Sequence, residues 1–300
     1  MHETTPSATF GPVTVYFGDK QGKYPDGNLV VVRGRAATAV FDTPLVANRL
    51  PQVLAEADLC ILGHVHEDHM AGLHRLQHVP LHVHEADVQA ARSWEGLSRH
   101  YGYPPQVLSL VRRKIERQFA YLPRPDALAY ADGQCWDLGG VQVRAVHLPG
   151  HTAGHCALLV QPQGIAFIGD IDLSGFGPYY GDRTSSLADF RRSLARLAEL
   201  PARVWITSHH KGVIRERADF DAKLRAYTAR LDANARRLLQ MLQAGPRTLD
   251  ELVRQRLLYP PGYEELWIDA AEARSIAQHL DELQAAGRVR AQDDGRFSLA

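Results

Sequence analysis

The sequence predicts an α/β fold in which two central β-sheets lie between outer layers of helices. Short apolar runs, typical of buried strands, alternate with helical stretches along most of the chain. Four of these strand-like runs end directly at histidine or aspartate side chains. Because loops at strand ends carry chemistry on a rigid scaffold, this pattern predicts one functional site built from several strand ends.

The N-terminal part opens with two predicted β regions, residues 12–17 and 29–41, separated by a turn at 24–27. The next apolar run, residues 59–62, has the length of a short buried strand. Residues 85–120 then predict helices that break near their middle at a Tyr-Pro-Pro motif. We interpret this helical stretch as an insertion that forms part of a pocket wall.

The segment His-Val-His-Glu-Asp-His at residues 64–69 follows the third strand and concentrates metal-capable side chains. Imidazole and carboxylate are good ligands for zinc, iron and manganese. His64 and His66, separated by one residue on extended backbone, can converge on one ion. Asp68 and His69 are adjacent, so they point elsewhere and can serve a second ion. The spacing predicts a binuclear site, and the alternative is a surface loop in a chain with 15 histidines.

Three later strands have the same arrangement, each running into a metal-capable residue. The predicted strands are residues 141–146, 165–168 and 203–207. The residues that follow them are His151, Asp170 and the neighbouring pair His209 and His210. An amphipathic helix at 187–199 is predicted to cover one sheet face.

The order His-x-His-x-Asp-His, Pro-Gly-His-Thr, Gly-Asp and a terminal histidine resembles the metallo-β-lactamase-fold hydrolase superfamily over residues 10–215. The resemblance implies an αββα four-layer sandwich that binds two divalent transition-metal ions, zinc in first place, with iron or manganese as alternatives. The implied ligands are His64, His66 and His151 for the first ion, Asp68, His69 and a terminal histidine for the second, and Asp170 as a bridge. Aligning residues 213–214 with the family's usual ending selects His210, and His209 is the alternative.

The implied chemistry is hydrolysis by a hydroxide bound between the two ions. Asp68 is then the candidate catalytic residue, because its carboxylate can orient the hydroxide and move a proton to the leaving group. The aromatic and glycine-rich segment after Asp170 is predicted to line the substrate pocket with Phe176, Tyr179 and Tyr180. Among the remaining histidines, His155 is predicted to support or pack near a ligand, and His100 to lie on the surface.

Residues 216–300 predict a second, smaller unit after a catalytic domain at 1–215. Helical stretches are followed by a small hairpin, a pattern that resembles a winged helix. The β-lactamase-like protein 2 group of the superfamily carries such an extension. Basic and acidic residues are balanced here, so we expect the module to pack against the core, wall the active site or mediate homodimerisation.

Composition excludes several classes of protein. The chain has 300 residues with 34 basic and 34 acidic side chains, so charge alone implies neither a general nucleic-acid binder nor a membrane-surface protein. The three cysteines are predicted to be buried free thiols. Residues 1–6 lack the features of a signal peptide, and no apolar run reaches membrane-spanning length. The expectation is a soluble cytoplasmic protein without membrane partners.

The first functional hypothesis is a metal-dependent hydrolase that cleaves an ester, thioester or lactone of a small-molecule substrate. One alternative is a single-strand-specific ribonuclease or phosphodiesterase, motivated by the C-terminal resemblance. The other is a ligand-binding regulator with a retained metal site, and the complete ligand set argues against it.

Overall fold

The computed structural model describes residues 5–300. Residues 1–4, which belong to the segment predicted not to be a signal peptide, lie outside the described residues. The strands are β1 (Ser7–Phe10), β2 (Val13–Tyr16), β3 (Leu29–Arg33), β4 (Thr38–Phe41), β5 (Leu59–Ile61), β6 (Leu81–His84), β7 (Leu128–Tyr130), β8 (Cys135–Asp137), β9 (Gln142–His147), β10 (Cys156–Gln161), β11 (Ile165–Phe167), β12 (Val204–Ile206), β13 (Val213–Ile214), β14 (Arg247–Thr248), β15 (Val289–Ala291) and β16 (Arg296–Leu299).

The helices alternate with these strands over most of the chain. They are α1 (Asp19–Gly22), α2 (Pro51–Leu54), α3 (Val88–Arg92), α4 (Trp94–Tyr101), α5 (Pro105–Gln118), α6 (Leu187–Ala198), α7 (Arg217–Gln243), α8 (Leu249–Gln255) and α9 (Ile268–Ala285). Short 3₁₀ turns also occur, and one of them, Glu67–His69, lies inside the metal motif. None of the helices formed by residues 5–300 is long and apolar enough to cross a membrane.

Two mixed sheets form the centre of the molecule. The first contains β1 to β7 in sequence order, and the second has the order β13-β12-β11-β10-β9-β8. Alternate side chains of the two sheets, such as Val30 and Phe41 from one and Leu158 and Phe167 from the other, share a buried apolar core between them. The outer face of the first sheet packs under the helices of residues 88–118.

The outer face of the second sheet packs against α6 and the first half of α7. Phe190 and Leu194 of α6 are buried there, together with Phe220 and Tyr227 of α7. Helices therefore cover both outer faces of the paired sheets, and the predicted αββα sandwich is confirmed. The break predicted inside residues 85–120 separates α4 from α5 at Tyr103 and Pro104.

The C-terminal module contains helices followed by a hairpin, in the predicted order. Its three-stranded sheet has the order β14-β16-β15, and its own core includes Leu238, Leu252, Ile276 and Leu280. A capping box at Thr248 begins α8. Helix α7 starts near the predicted boundary at residue 216, but it contributes side chains to two cores, so it joins the module to the sandwich.

The cysteine prediction holds for two of the three residues. Cys60 and Cys156 are buried free thiols, whereas Cys135 is exposed at the start of β8. The prediction of burial was wrong for Cys135 because β8 is the edge strand of its sheet, and Cys135 lies on the solvent face there.

Candidate metal centre

The metal-capable residues come together at one edge of the paired sheets. The loops that follow β5, β9, β11 and β12 deliver His64, His151, Asp170 and His209 to this edge, as the strand pattern predicted. Together with neighbouring side chains they form two adjacent groups, and within each group the ligand atoms lie within 4.8 Å of one another. The first group is His64, His66, His151 and Asp170, and the second is Asp68, His69 and His209.

In the first group, three imidazole nitrogens face one another. His66 Nδ1 lies 3.2 Å from His64 Nε2 and 3.1 Å from His151 Nε2. The outer nitrogens of two rings are engaged elsewhere, because His66 Nε2 donates to Asp182 Oδ2 at 2.7 Å and His151 Nδ1 donates to the Tyr179 carbonyl at 3.0 Å. When these two rings are neutral, their inner nitrogens therefore carry lone pairs that point at each other. A cation between them removes this repulsion.

The second group is oriented in the same way. His69 Nδ1 donates to Asp42 Oδ2 and His209 Nδ1 donates to the Gly22 carbonyl, each at 2.7 Å. Both Nε2 atoms consequently face inward, and His209 Nε2 lies 3.1 Å from Asp68 Oδ2. Asp170 stands between the groups, with Oδ2 3.4 Å from His151 Nε2 and Oδ1 3.1 Å from His69 Nε2.

Unpartnered buried atoms test whether this donor set fits a metal. His69 Nε2 and Asp170 Oδ1 are buried and, although they lie 3.1 Å apart, neither makes a well-aligned hydrogen bond within residues 5–300. Burying such polar atoms without a partner is costly, and the cost is offset when they coordinate an ion. The donors, imidazole nitrogen and carboxylate oxygen, are those that zinc, iron and manganese accept. The residues present therefore fit divalent transition-metal ions.

The electrostatics of the centre favour bound cations. Burial lowers the pKa of His209, but the carboxylates of Asp170 and Asp68 outweigh this and raise the pKa to about 10. Burial would raise the pKa of Asp170, yet His209, His69 and His64 hold it well below its usual range. Positive charge is thus stabilised at the very point where the inward-facing lone pairs meet.

Of the two candidates for the terminal histidine, the structure places His209 with the other candidate ligands and His210 outside them. His210 keeps 35% of its side chain exposed, and its Nε2 lies 3.6 Å from Asp172 Oδ2, outside both groups. Its left-handed backbone, with φ of +56°, turns its side chain away from the cluster. The Thr207 hydroxyl accepts from Gly212 N and donates to the His209 carbonyl, which fixes the tight turn between β12 and β13. The sequence alignment that favoured His210 over His209 does not reveal this turn.

Two carboxylates that orient ligands were missed by the sequence reasoning. Asp42 follows β4 and accepts from both His69 Nδ1 and the Gly63 amide, the latter at 2.8 Å. Asp182 holds His66 and also accepts from the Tyr103 hydroxyl at 2.6 Å. Asp42 could have been predicted from the sequence, because it directly follows the predicted β region at residues 29–41. Asp182 lies in an irregular segment whose path the sequence does not specify.

Two other histidines lie close to the centre. His155 lies against Asp170, because its Nε2 accepts from the Asp170 amide at 3.2 Å and its Nδ1 donates to the Leu148 carbonyl. Burial and the neighbouring His151 lower the pKa of His155 to about 3, so it remains neutral. The prediction of a surface position for His100 was wrong: it is 3% exposed, beside His66 and Asp182.

A cavity of about 470 Å³ opens onto the metal-capable residues. Phe176 and Tyr179 line it, in agreement with the prediction for the segment after Asp170. Tyr180, which was predicted to line the pocket, does not reach the cavity. It is fully buried, and its hydroxyl hydrogen-bonds to His279 Nε2 at 2.8 Å and to Asn234 Nδ2 at 3.1 Å. Tyr179 therefore faces the cavity, whereas the adjacent Tyr180 faces the C-terminal helices.

Replacing Asp182 by asparagine is expected to weaken zinc binding by about 10- to 100-fold, the usual effect of removing a ligand's outer carboxylate. The amide keeps the shape but loses the negative charge that orients His66. Competition with a chromogenic chelator measures the dissociation constant. Asp293→Asn, at an exposed position, is the matched control. Equal affinities in the two variants would contradict the orienting role.

Comparisons with known proteins agree with this geometry. Residues 58–209 match the family described as the Metallo-beta-lactamase superfamily. The human acyl-coenzyme A thioesterase MBLAC2 is 29% identical over 199 residues, covering 58% of this chain and 67% of that protein. The beta-lactamase-like protein 2 homolog of Drosophila melanogaster is 25% identical over 243 residues, covering 80% and 73%. The crystal structure of a metallo-beta-lactamase family protein from Thermus thermophilus superimposes with a TM-score of 0.67 at 27% identity, covering 91% and 94%.

Proposed function

Because this chain belongs to the metallo-β-lactamase superfamily, we propose that it is a metal-dependent hydrolase that cleaves an ester, thioester or lactone bond of a small acyl substrate. The observation that carries the proposal is the convergence of seven oriented ligand side chains at an aromatic-lined cavity. Such a cavity, apolar with a few converging polar groups, is typical of a small-molecule site.

The ligand set divides between two ions. His64, His66 and His151 would hold the first ion. Asp68, His69 and His209 would hold the second, with Asp170 between them. When bound, two such ions supply hydroxide at neutral pH and polarise the substrate carbonyl. Zinc is the first choice, and iron or manganese are the alternatives.

Asp68 is the residue of this chain that we assign to proton transfer. It is 4% exposed and lines the cavity, so its carboxylate meets the reacting groups. Burial would raise its pKa, but His69 and His209 outweigh this and lower the pKa of Asp68 below its usual value. Asp68 is therefore ionised at neutral pH and can accept a proton at Oδ1 or Oδ2 and pass it to the leaving group.

Among the candidate bonds, we favour the thioester. Eight aromatic side chains line the cavity, which suits an acyl group, and the human relative is named an acyl-coenzyme A thioesterase. Lys23 and His210 also line the cavity, and Lys23 makes no ion pair within the described part of the chain. Acyl carriers such as coenzyme A have phosphates on the thiol arm, so a cationic side chain at the rim fits this class of substrate.

The ribonuclease alternative has weaker support from the structure. The arginines of the C-terminal hairpin region that would contact RNA are Arg288, Arg290 and Arg296. Arg296 lies 3.4 Å from Asp294 and 3.8 Å from Glu251. Arg290 hydrogen-bonds to Ser298 at 3.2 Å. Basic and acidic side chains are therefore mixed on this hairpin, which disfavours it as a binding surface for a phosphate backbone.

A substrate panel tests the proposed function. We expect zinc-loaded protein to hydrolyse acyl-coenzyme A thioesters with kcat/KM of at least about 10⁴ M⁻¹s⁻¹, the lower range for enzymes acting on their own substrates. Aryl esters and lactones should follow, with negligible cleavage of single-stranded RNA. Asp170→Ala is the control for metal dependence, because it removes the carboxylate between the two groups.

Two other results would contradict the proposed hydrolase. Micromolar, salt-sensitive RNA binding that is lost when Arg288, Arg290 and Arg296 are changed to alanine would indicate a nuclease if metal-dependent RNA cleavage accompanied it. Full metal content without turnover of any compound in the panel would favour the ligand-binding regulator.

A further inference from the structure

The C-terminal module supplies one wall of the catalytic cavity. Tyr259, Pro260, Tyr263 and Trp267 line it, and all four lie in the connection between α8 and α9. Val111 of α5 lines the same cavity from the inserted helices. The cavity is therefore closed by two parts of the chain that lie outside the paired sheets.

The aromatic rings of this wall form a continuous row. Phe176 and Tyr259 have ring centroids 5.2 Å apart, and Tyr259 and Tyr263 stack at 5.5 Å with parallel planes. Phe176 is 38% exposed and Tyr263 is 45% exposed, so the row keeps apolar surface open to solvent. Apolar surface held open beside a polar metal centre is a feature of binding sites for apolar groups.

A buried carboxylate fixes the start of this wall. Glu272 of α9 has no exposed surface, and it accepts hydrogen bonds from three consecutive backbone amides. The amides of Leu257, Leu258 and Tyr259 lie 2.8, 3.0 and 2.9 Å from its oxygens. Glu272 makes no ion pair with any residue in 5–300, so these amides are its polar partners. The position of Tyr259 consequently depends on this one side chain.

The module is also attached to the opposite wall. Arg274 Nη1 donates to the carbonyl of Tyr101 at 2.7 Å, and Arg274 Nη2 donates to that of Gly102. Lys114 of α5 pairs with Glu265 at 2.8 Å and lies 4.5 Å from the ring centroid of Trp267. The aromatic wall is thus braced from both sides, as a preorganised binding surface requires.

We propose that residues 257–267, with Phe176, form an acyl-binding subsite that accepts an apolar chain or ring and sets the substrate's preferred size. Glu272 is a positioning residue that holds this subsite in place through Tyr259. The proposal rests on the proposed function, since it assigns the acyl half of that substrate to one wall. The module acts in this site as a specificity element.

The first experiment alters the row of rings. In zinc-loaded protein, Tyr259→Ala is expected to reduce the ratio of kcat/KM for decanoyl- over acetyl-coenzyme A by about tenfold or more, the size expected when several apolar contacts are lost. Leu128→Ala, an exposed apolar change on β7 and outside the cavity lining, is the matched control and should keep the ratio. A Tyr259→Ala variant with the same ratio as the unaltered protein would overturn the proposal.

The second experiment separates positioning from general stability. Glu272→Gln removes the charge that holds three amides, so KM for the decanoyl thioester should rise more than KM for the acetyl thioester. Asp281→Asn, an exposed acid-to-amide change on the same helix, controls for the loss of one charge. A lower melting temperature with both KM values unchanged would show that Glu272 is merely structural.

A binding measurement distinguishes failure of the subsite from failure of the proposed function. The probe is the thioether S-decyl-coenzyme A, which cannot be hydrolysed, and calorimetry measures its dissociation constant. If no thioester is turned over but the probe binds and Tyr259→Ala weakens it, the subsite stands and the hydrolase proposal fails. If thioesters are turned over but S-decyl- and S-methyl-coenzyme A bind equally well, the hydrolase stands and the subsite is wrong.

Discussion

Replacing His209 by alanine is expected to remove about one transition-metal ion per chain and to abolish most hydrolysis. The His209 side chain faces Asp68 of its own group and Asp170 of the first group, with Nε2 3.1 Å from Asp68 Oδ2 and 3.4 Å from Asp170 Oδ1. The loss of activity should exceed the roughly 10- to 100-fold effect of removing a ligand's outer partner. Elemental analysis of purified protein, run beside turnover of a working substrate, measures both effects.

His210→Ala is the matched control, since it removes an identical side chain one position further along the chain. His210 lies outside both groups, so the variant should keep its full metal content. Metal lost from His210→Ala and retained by His209→Ala would contradict the assignment of the terminal ligand. Less than about half an ion per chain in the unaltered protein, even after zinc, iron and manganese supplementation, would contradict the metal centre itself.

The strand ends could be predicted because their signals are local. Residues 59–62 are apolar and end at a dense run of ligands, and residues 165–168 do the same before Asp170. Both halves of such a signal, strand and ligand, lie within a few positions of each other in the chain. This is why His64 and Asp170 could be assigned from the sequence.

The remaining parts of the centre depend on contacts between distant segments. Asp42 reaches His69 across 27 positions, and Asp182 reaches His66 across 116. The choice between His209 and His210 depends on the left-handed φ of one residue in a tight turn, which histidine adopts without any distinctive sequence signal. Neither kind of information is carried by periodicity or spacing.

For the C-terminal module too, the secondary structure could be predicted from the sequence but the contacts with the rest of the chain could not. Its helices and hairpin could be predicted because the sequence signals for such elements are local. Its function in walling the cavity was one of three expectations, and nothing in the sequence ranks Tyr259 or Trp267 above other aromatic residues. The buried Glu272 could have drawn attention to this connection only once its amide partners were known.

Asp68→Asn is expected to reduce hydrolysis of any working substrate by about 10²-fold or more, the usual size of general acid–base effects. Asparagine keeps the shape of the side chain, but its amide weakens the ligand and does not accept a proton as a carboxylate does. Turnover must therefore be compared at equal metal content, determined by elemental analysis of each sample.

Glu67→Gln is the matched control for Asp68, because it neutralises the adjacent carboxylate in the same 3₁₀ turn. The oxygens of Glu67 accept hydrogen bonds from the hydroxyls of Tyr24 at 3.0 Å and Tyr101 at 2.5 Å, and Glu67 belongs to neither ligand group. Glu67→Gln is therefore expected to reduce turnover far less than Asp68→Asn does. Unchanged turnover of Asp68→Asn with full metal content would show that Asp68 is not catalytic, and proton transfer would then have to be assigned to another group lining the cavity.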